Sequence, residues 1–238
     1  MAIGPERKYM TAAQAGVADI DVGLRQYMLR VYNYMIGGLA LTGAIAYAAL
    51  AVPAVAEVIF PLRWIALFGT LGIAFFMGFR IHSMKATTAQ ALFWAFAALM
   101  GVWISPIAFV YTGASIAKTF FITAGTFAAM SLYGYTTKTD LSRFGSFLIM
   151  GVIGLILAMV VNWFLASPAM DFAISVIGVL LFTGLTAWDT QRIKEWYAES
   201  DGGDVALKKA VYGALNLYMD FINLFLFLLR FLGVARSN

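Results

Sequence analysis

The stretch NLYMDFINLFLFLLR, residues 216–230, is apolar enough to lie in a membrane, yet it carries Asp220 near its middle. An ionised carboxylate at the centre of a spanning helix costs about 2.5–3.5 kcal/mol on insertion scales, so a chain that keeps one is expected to use it. Asn216, Asp220 and Asn223 fall at i, i+4 and i+7, which puts them on one helix face, and Arg230 continues the stripe. A polar stripe inside an apolar helix avoids lipid only by facing other helices. The segment is therefore expected to be a membrane helix buried within a bundle.

The remainder of the chain has the composition to build that bundle. It is 62% hydrophobic and 12% charged over 238 residues, against about 25% charged residues in an ordinary soluble domain. Seven apolar blocks, near 31–52, 62–79, 89–110, 117–135, 144–164, 170–189 and 211–232, approach the ~20 residues that cross a ~30 Å hydrocarbon core. The expected fold is an all-α integral membrane protein of seven transmembrane helices. It is a single domain over residues 25–238, preceded by a flexible cytoplasmic tail at 1–24. The opening MAIGPERKYMTAAQAG has no apolar run of the kind a cleaved signal peptide needs. Asp19 or Asp21 can cap a lead-in helix. In it Leu24, Tyr27, Met28 and Val31 recur at helical spacing, and the helix runs on into the first span.

Pro106 is expected to kink the third span near Ser105. The long connection TQRIKEWYAESDGGDVALKKA, between the sixth and seventh blocks, reads as a helical continuation, a turn at SDGGD, and a cap at Asp204 for the last helix. Its acids lack the alternating ligand spacing and terminal Glu of an EF-hand, so a solvated turn is expected there. The absence of cysteine excludes disulfide frameworks, thiolate metal sites and cysteine nucleophiles. The one histidine, His82, is expected in an exposed loop. Basic residues are scattered between apolar blocks, so the net charge of +4 reflects membrane topology and not nucleic-acid binding.

With seven spans, the connections on the side of the N-terminus hold Arg7, Lys8, Arg25, Arg30, Arg80, Lys85, Lys138, Arg143, Arg192, Lys194, Lys208 and Lys209. The opposite side holds Arg63, Lys118, Arg230 and Arg236. Twelve against four follows the positive-inside rule with a cytoplasmic N-terminus. A last helix that dips in and returns would give six spans and move Arg230 and Arg236 inside, an alternative the charge count leaves open.

Orientation also places the ionisable groups. Asp220 lies about 15 Å into the last helix from Val211, near mid-membrane. Asp189 closes the sixth block on the cytoplasmic half, and Arg80 closes the second on the same side. Thr183, Thr186 and Asp189 or Thr190 form a second polar stripe, which is expected to face the first. Two close carboxylates do not both ionise freely; they can share a proton, hold a divalent cation, or be held by a base such as Arg80. A purely structural salt bridge is the competing reading, and Arg230, near a helix end, can snorkel to the interface.

LYMDFINLFLFLLRFLG, TAWDTQRIK and LYGYTTKTDLS resemble the signature segments of the Bax inhibitor-1 family in its bacterial branch. The resemblance covers about residues 25–233. It implies a seven-helix bundle with the last helix at its centre, wrapped by two groups of three, in a bacterial inner membrane. It further implies a pH-sensitive calcium leak in which Asp189 and Asp220 form the proton sensor and Arg80 is the candidate latch, with no cofactor and with calcium as the permeant ion. The bilayer, calcium ions and protons are the expected partners.

Other functions stay in view: a proton-coupled cation exchanger, or a regulatory protein acting on other membrane proteins such as a quality-control protease, its acids structural. An intramembrane aspartyl protease is disfavoured because the second acid sits in LYMD without the glycines of a GxGD motif. The chain is expected not to be an enzyme.

Overall fold

The computed structural model describes residues 12–236. These form α1 (Ala12–Ala51), α2 (Pro53–Arg80), α3 (Ala86–Ile104), the single turn α4 (Ile107–Val110), α5 (Gly113–Thr136), α6 (Ser142–Leu165), α7 (Pro168–Glu195) and α8 (Gly203–Leu232). Seven spans are long and apolar enough to cross a membrane, α3 and α4 together making one of them.

Local chemistry sets the ends of these helices. Pro53 and Pro168 stand in the first turns of α2 and α7, where a missing N–H costs nothing. Thr112 and Ser167 cap α5 and α7 by accepting from the N–H groups of Ser115 and Met170. Pro106 cannot donate to the helical ladder, and α3 stops just before it, at Ile104, as the sequence led us to expect. Ala166 takes the left-handed conformation, φ 47°, so that α6 reverses into α7 across two residues.

Several boundaries differ from the sequence reading. Of the expected tail, residues 12–24 are drawn into α1, while 1–11 lie outside the described residues. The second span is 28 residues and starts at Pro53, because Glu57, Pro61 and Arg63 dilute its apolar pattern without breaking the helix. Asp204 is not the cap of α8. Gly202 holds that position, and Asp204 sits in the first turn, where the helix dipole favours an acid. From there its carboxylate accepts the Ala86 N–H at 3.4 Å, tying α8 to the start of α3.

α8 is the axis of the bundle and packs against α1, α3, α5 and α7. Around it α1, α2 and α3 form one group and α5, α6 and α7 the other, with α2 and α6 outermost. One face of α8, through Leu217, Tyr218, Phe221 and Leu229, meets Phe93, Phe96 and Phe127; another, through Leu224, Phe227 and Leu228, meets Leu148, Leu155, Ile174 and Leu181. Small residues allow close approach within the second group. A Cβ on Gly134 of α5 would fall 2.1 Å from the Ala187 carbonyl oxygen of α7.

The last helix crosses the whole bundle. At its start Lys208 Nζ donates to the His82 carbonyl at 3.4 Å, beside the α2–α3 connection. Past its end, the Val234 N–H donates to Ser115 Oγ at 2.8 Å and the Arg236 N–H to the Val110 carbonyl at 2.9 Å, beside the start of α5. The alternative of a dipping last segment is therefore replaced by seven spans. The end holding the α2–α3, α5–α6 and α7–α8 connections is hereafter the basic end.

Candidate functional site: an acid pair between the last two helices

The stripes expected on the last two spans meet. On α7, Thr186, Asp189 and Thr190 are buried, and on α8 so are Asn216 and Asp220, while Thr183 and Asn223 are half-buried. Asp189 and Asp220 are 6% and 4% exposed, which places both carboxyl groups inside the protein. They are neighbours across α7 and α8. A direct bond between two carboxyl groups needs a proton on one of them, so a pair placed this way can share a proton. Asp220 Oδ2 is buried without a hydrogen-bond partner.

α7 runs on to Glu195, the helical continuation expected of TQRIKE, so Asp189 closes the apolar block without ending the helix. It lies six residues inside, about 9 Å along the axis. The extension brings a base that the sequence reading had counted only toward topology. Arg192 Nη2 is 2.7 Å from Asp189 Oδ1, one helical turn away. The contact is short but poorly aligned: neither Arg192 Nε nor Asp189 Oδ1 completes a hydrogen bond of good geometry, so it acts chiefly as a charge contact.

The Arg192 guanidinium is gripped by two indoles, 4.4 Å from the Trp188 ring centre and 5.1 Å from that of Trp196. Trp196 in turn stacks on Tyr212 of α8. Trp188 packs against Gly145 of α6, where a Cβ would collide with the indole. Arg192 keeps a third of its side chain exposed, so the base stands between the acid pair and water at the basic end.

Arg80, expected as the latch, is exposed at the end of α2 and makes none of the salt bridges found among the described residues. Its helix packs chiefly on α1 and α3 and reaches α8 only near its end, where Gly78 approaches the Tyr212 hydroxyl. The base beside the pair is Arg192. The sequence did contain the signal, since WDTQR puts acid and base at i, i+3. Asn223 returns its amide to the Met219 carbonyl at 2.9 Å, and Arg230 turns outward to Asp171 at 3.7 Å with both side chains about half exposed, so neither joins the acids. His82 is exposed, as expected.

Two hydroxyl chains surround the site. Thr190 Oγ1 donates to the Thr186 carbonyl at 2.7 Å, so Ser131 must donate to Thr190 at 2.9 Å and Tyr32 to Ser131 at 2.6 Å. That chain links α1, α5 and α7 beside Asp189. Likewise Thr42 donates to the Ala97 carbonyl at 2.7 Å and receives Tyr218 at 2.6 Å, linking α1, α3 and α8.

Comparison with known proteins agrees with this arrangement. The model of the family described as inhibitor of apoptosis-promoting Bax1 matches residues 24–237, nearly the whole chain. The chain belongs to the Bax inhibitor-1 family. Among relatives, the uncharacterized protein RP147 of Rickettsia prowazekii is 51% identical over 221 residues, covering 91% of this chain and 93% of that one. A protein of Caulobacter vibrioides is 47% identical over 97% of this chain and 98% of its own. The inner membrane protein YbhL of Escherichia coli is 46% identical over 90% and 94%. The acid pair and its arginine thus belong to an integral membrane protein of this family.

Proposed function

We propose that the protein is a cation leak pathway of a bacterial inner membrane, with calcium as the permeant ion, in which Asp189 and Asp220 sense protons and line the ion path. The observation that carries this reading is the contact of two buried carboxyl groups from different helices, with Arg192 on one of them. With one proton shared between them, the two carboxyl groups tie α7 to α8, and Arg192, on the same helix as Asp189, neutralises the charge that remains. A second proton removes that charge, weakens both the shared bond and the hold of Arg192, and shifts the balance toward a state in which α8 moves relative to α7.

The ligand count supports transit over residence. Calcium takes about six to eight oxygens, the pair supplies two carboxylates, and no group of three or more His, Cys, Asp and Glu side chains forms among the described residues. Water would complete the shell of a passing ion. The twelve-to-four charge count supports a cytoplasmic basic end and N-terminus, and the name of the Escherichia coli relative supports the inner membrane. The protein is read as no enzyme and as needing no cofactor.

The test is calcium entry into dye-loaded liposomes at graded pH. A pH-dependent flux that Asp189→Asn and Asp220→Asn both alter is expected. Uphill calcium movement driven by a proton gradient would replace the leak by an exchanger. A wild-type protein without flux would return the pair to a structural lock.

A further inference from the structure

α1 and α5 both pack on α8, yet a lateral fissure of about 890 Å³ remains between them. That volume is in the range of ligand sites, about 300–1,000 Å³. Its floor is apolar and buried, formed by Met35, Phe127 and Phe221. Its rim, with Leu29, Ile36, Phe120 and Leu132, is exposed toward lipid. The hydroxyls that reach it, of Tyr32 and Ser131, are already committed to each other and to Thr190. The fissure therefore offers hydrocarbon contact and little unmet hydrogen bonding.

Shape and charge select the occupant. The lining runs along α1 from Arg25 to Gly43, about 27 Å at 1.5 Å per residue. That exceeds the depth of one leaflet, about 15 Å. A helix about 10 Å across would fill about 2,100 Å³ over that length, more than twice the fissure, so a helix does not enter. A single extended chain does. At Gly43 an added Cβ would meet nothing, so the far end stays open.

The two ends of the fissure differ in charge. At the basic end Arg25 lines the mouth, and Lys194 Nζ sits on the Tyr135 carbonyl at 2.8 Å, 5.6 Å from the ring of that lining residue. No charged residue lines the end at Gly43 and Phe120. We propose that this fissure binds one acyl chain of an anionic phospholipid drawn from the leaflet at the basic end, its headgroup held by Arg25 and Lys194. The bound chain touches Phe221, next to Asp220, and the Tyr32–Ser131 hydroxyls that lead to Thr190. The site stands whether or not the acid pair conducts ions.

The experiment is native mass spectrometry of the full-length protein after equilibration in nanodiscs of mixed phosphatidylglycerol and phosphatidylcholine. Wild type should keep one phospholipid per chain, with phosphatidylglycerol favoured about fivefold for each basic residue engaged. Ala128→Trp and Ala40→Trp, each filling the fissure from an exposed wall position, should lose that lipid while keeping the wild-type melting temperature. Two such variants guard against one that fails to fold. Arg25→Gln should keep a lipid and lose part of the preference. Equal retention in wild type and a folded Trp variant would overturn the proposal. So would equal retention of the two lipids by wild type, or a second protein chain bound to this face in place of lipid.

Discussion

α2 and α7 are almost equally apolar, with mean hydropathy of 1.8 and 1.9 over their best windows, yet 11% of the first window is buried and 44% of the second. α8 is less apolar at 1.5 and is 67% buried. The order of hydropathy is thus no guide to the order of burial. Lipid tails are as apolar as leucine, so transfer from lipid to the protein interior gains nothing from apolarity. What decides position is where polar groups must be hidden. α2 exposes Trp64, Ile65, Phe68, Phe75 and Phe79 along one face to lipid and keeps its acid, Glu57, in its first turns, whereas Asp189 and Asp220 lie deep within α7 and α8 and cannot face lipid.

The contrast can be broken most forcefully with glycines. Gly134→Leu would drive a side chain into the backbone of α7 at Ala187. It should destabilise the protein by about 1–3 kcal/mol or abolish folding. Gly72→Leu in α2 and Gly154→Leu in α6 meet nothing within 4 Å and should stay within about 0.5 kcal/mol of wild type. Thermal unfolding in detergent checks all three. Similar losses at inner and outer glycines would dissolve the distinction.

Arg192→Gln comes next. Breaking a fully buried pair costs about 3–5 kcal/mol, but Arg192 is one-third exposed, so solvent screening should keep the loss well below that. The functional effect is more telling. A nearby positive charge favours ionised carboxylates, so its removal should move the half-maximal pH of calcium flux upward. An unmoved midpoint with unaltered melting would remove Arg192 from the lock.

A smaller loss is expected for Tyr218→Phe, which deletes the bond to Thr42 and leaves the ring in place. Interhelical bonds of this kind average about 0.6 kcal/mol in membranes, so a melting shift larger than that of Arg192→Gln would reverse the ranking. Arg80→Gln should do least. The side chain is exposed and forms no salt bridge with either acid, and its flux profile should overlay that of wild type. A profile resembling that of Arg192→Gln would restore Arg80 as the latch.

The sequence revealed the spans because each apolar block is long, and it revealed the buried face of α8 because Asn216 and Asp220 repeat at helical spacing. Asp189 was also legible, through the stripe it shares with Thr186 and Thr190. Three things were hidden, each for a physical reason. The start of α2 was masked by charged and proline residues that a helix near the interface tolerates. The grip on Arg192 depends on Trp188 and Trp196 both closing over one guanidinium; the continuation of α7 was legible, but that closing of two indoles was not. The fissure beside Phe221 arises from the spacing of α1 and α5 around α8, which no residue pattern within either helix encodes.

We propose that the buried pair Asp189 and Asp220 is a proton-operated lock on a cation path. Its most direct test is calcium flux into liposomes from about pH 5 to 8, where folded proteins are generally most stable, for wild type, Asp189→Asn and Asp220→Asn. Wild-type flux should rise as pH falls, and each variant, unable to change charge at that position, should flatten the profile. Three superimposable profiles from folded proteins would contradict it.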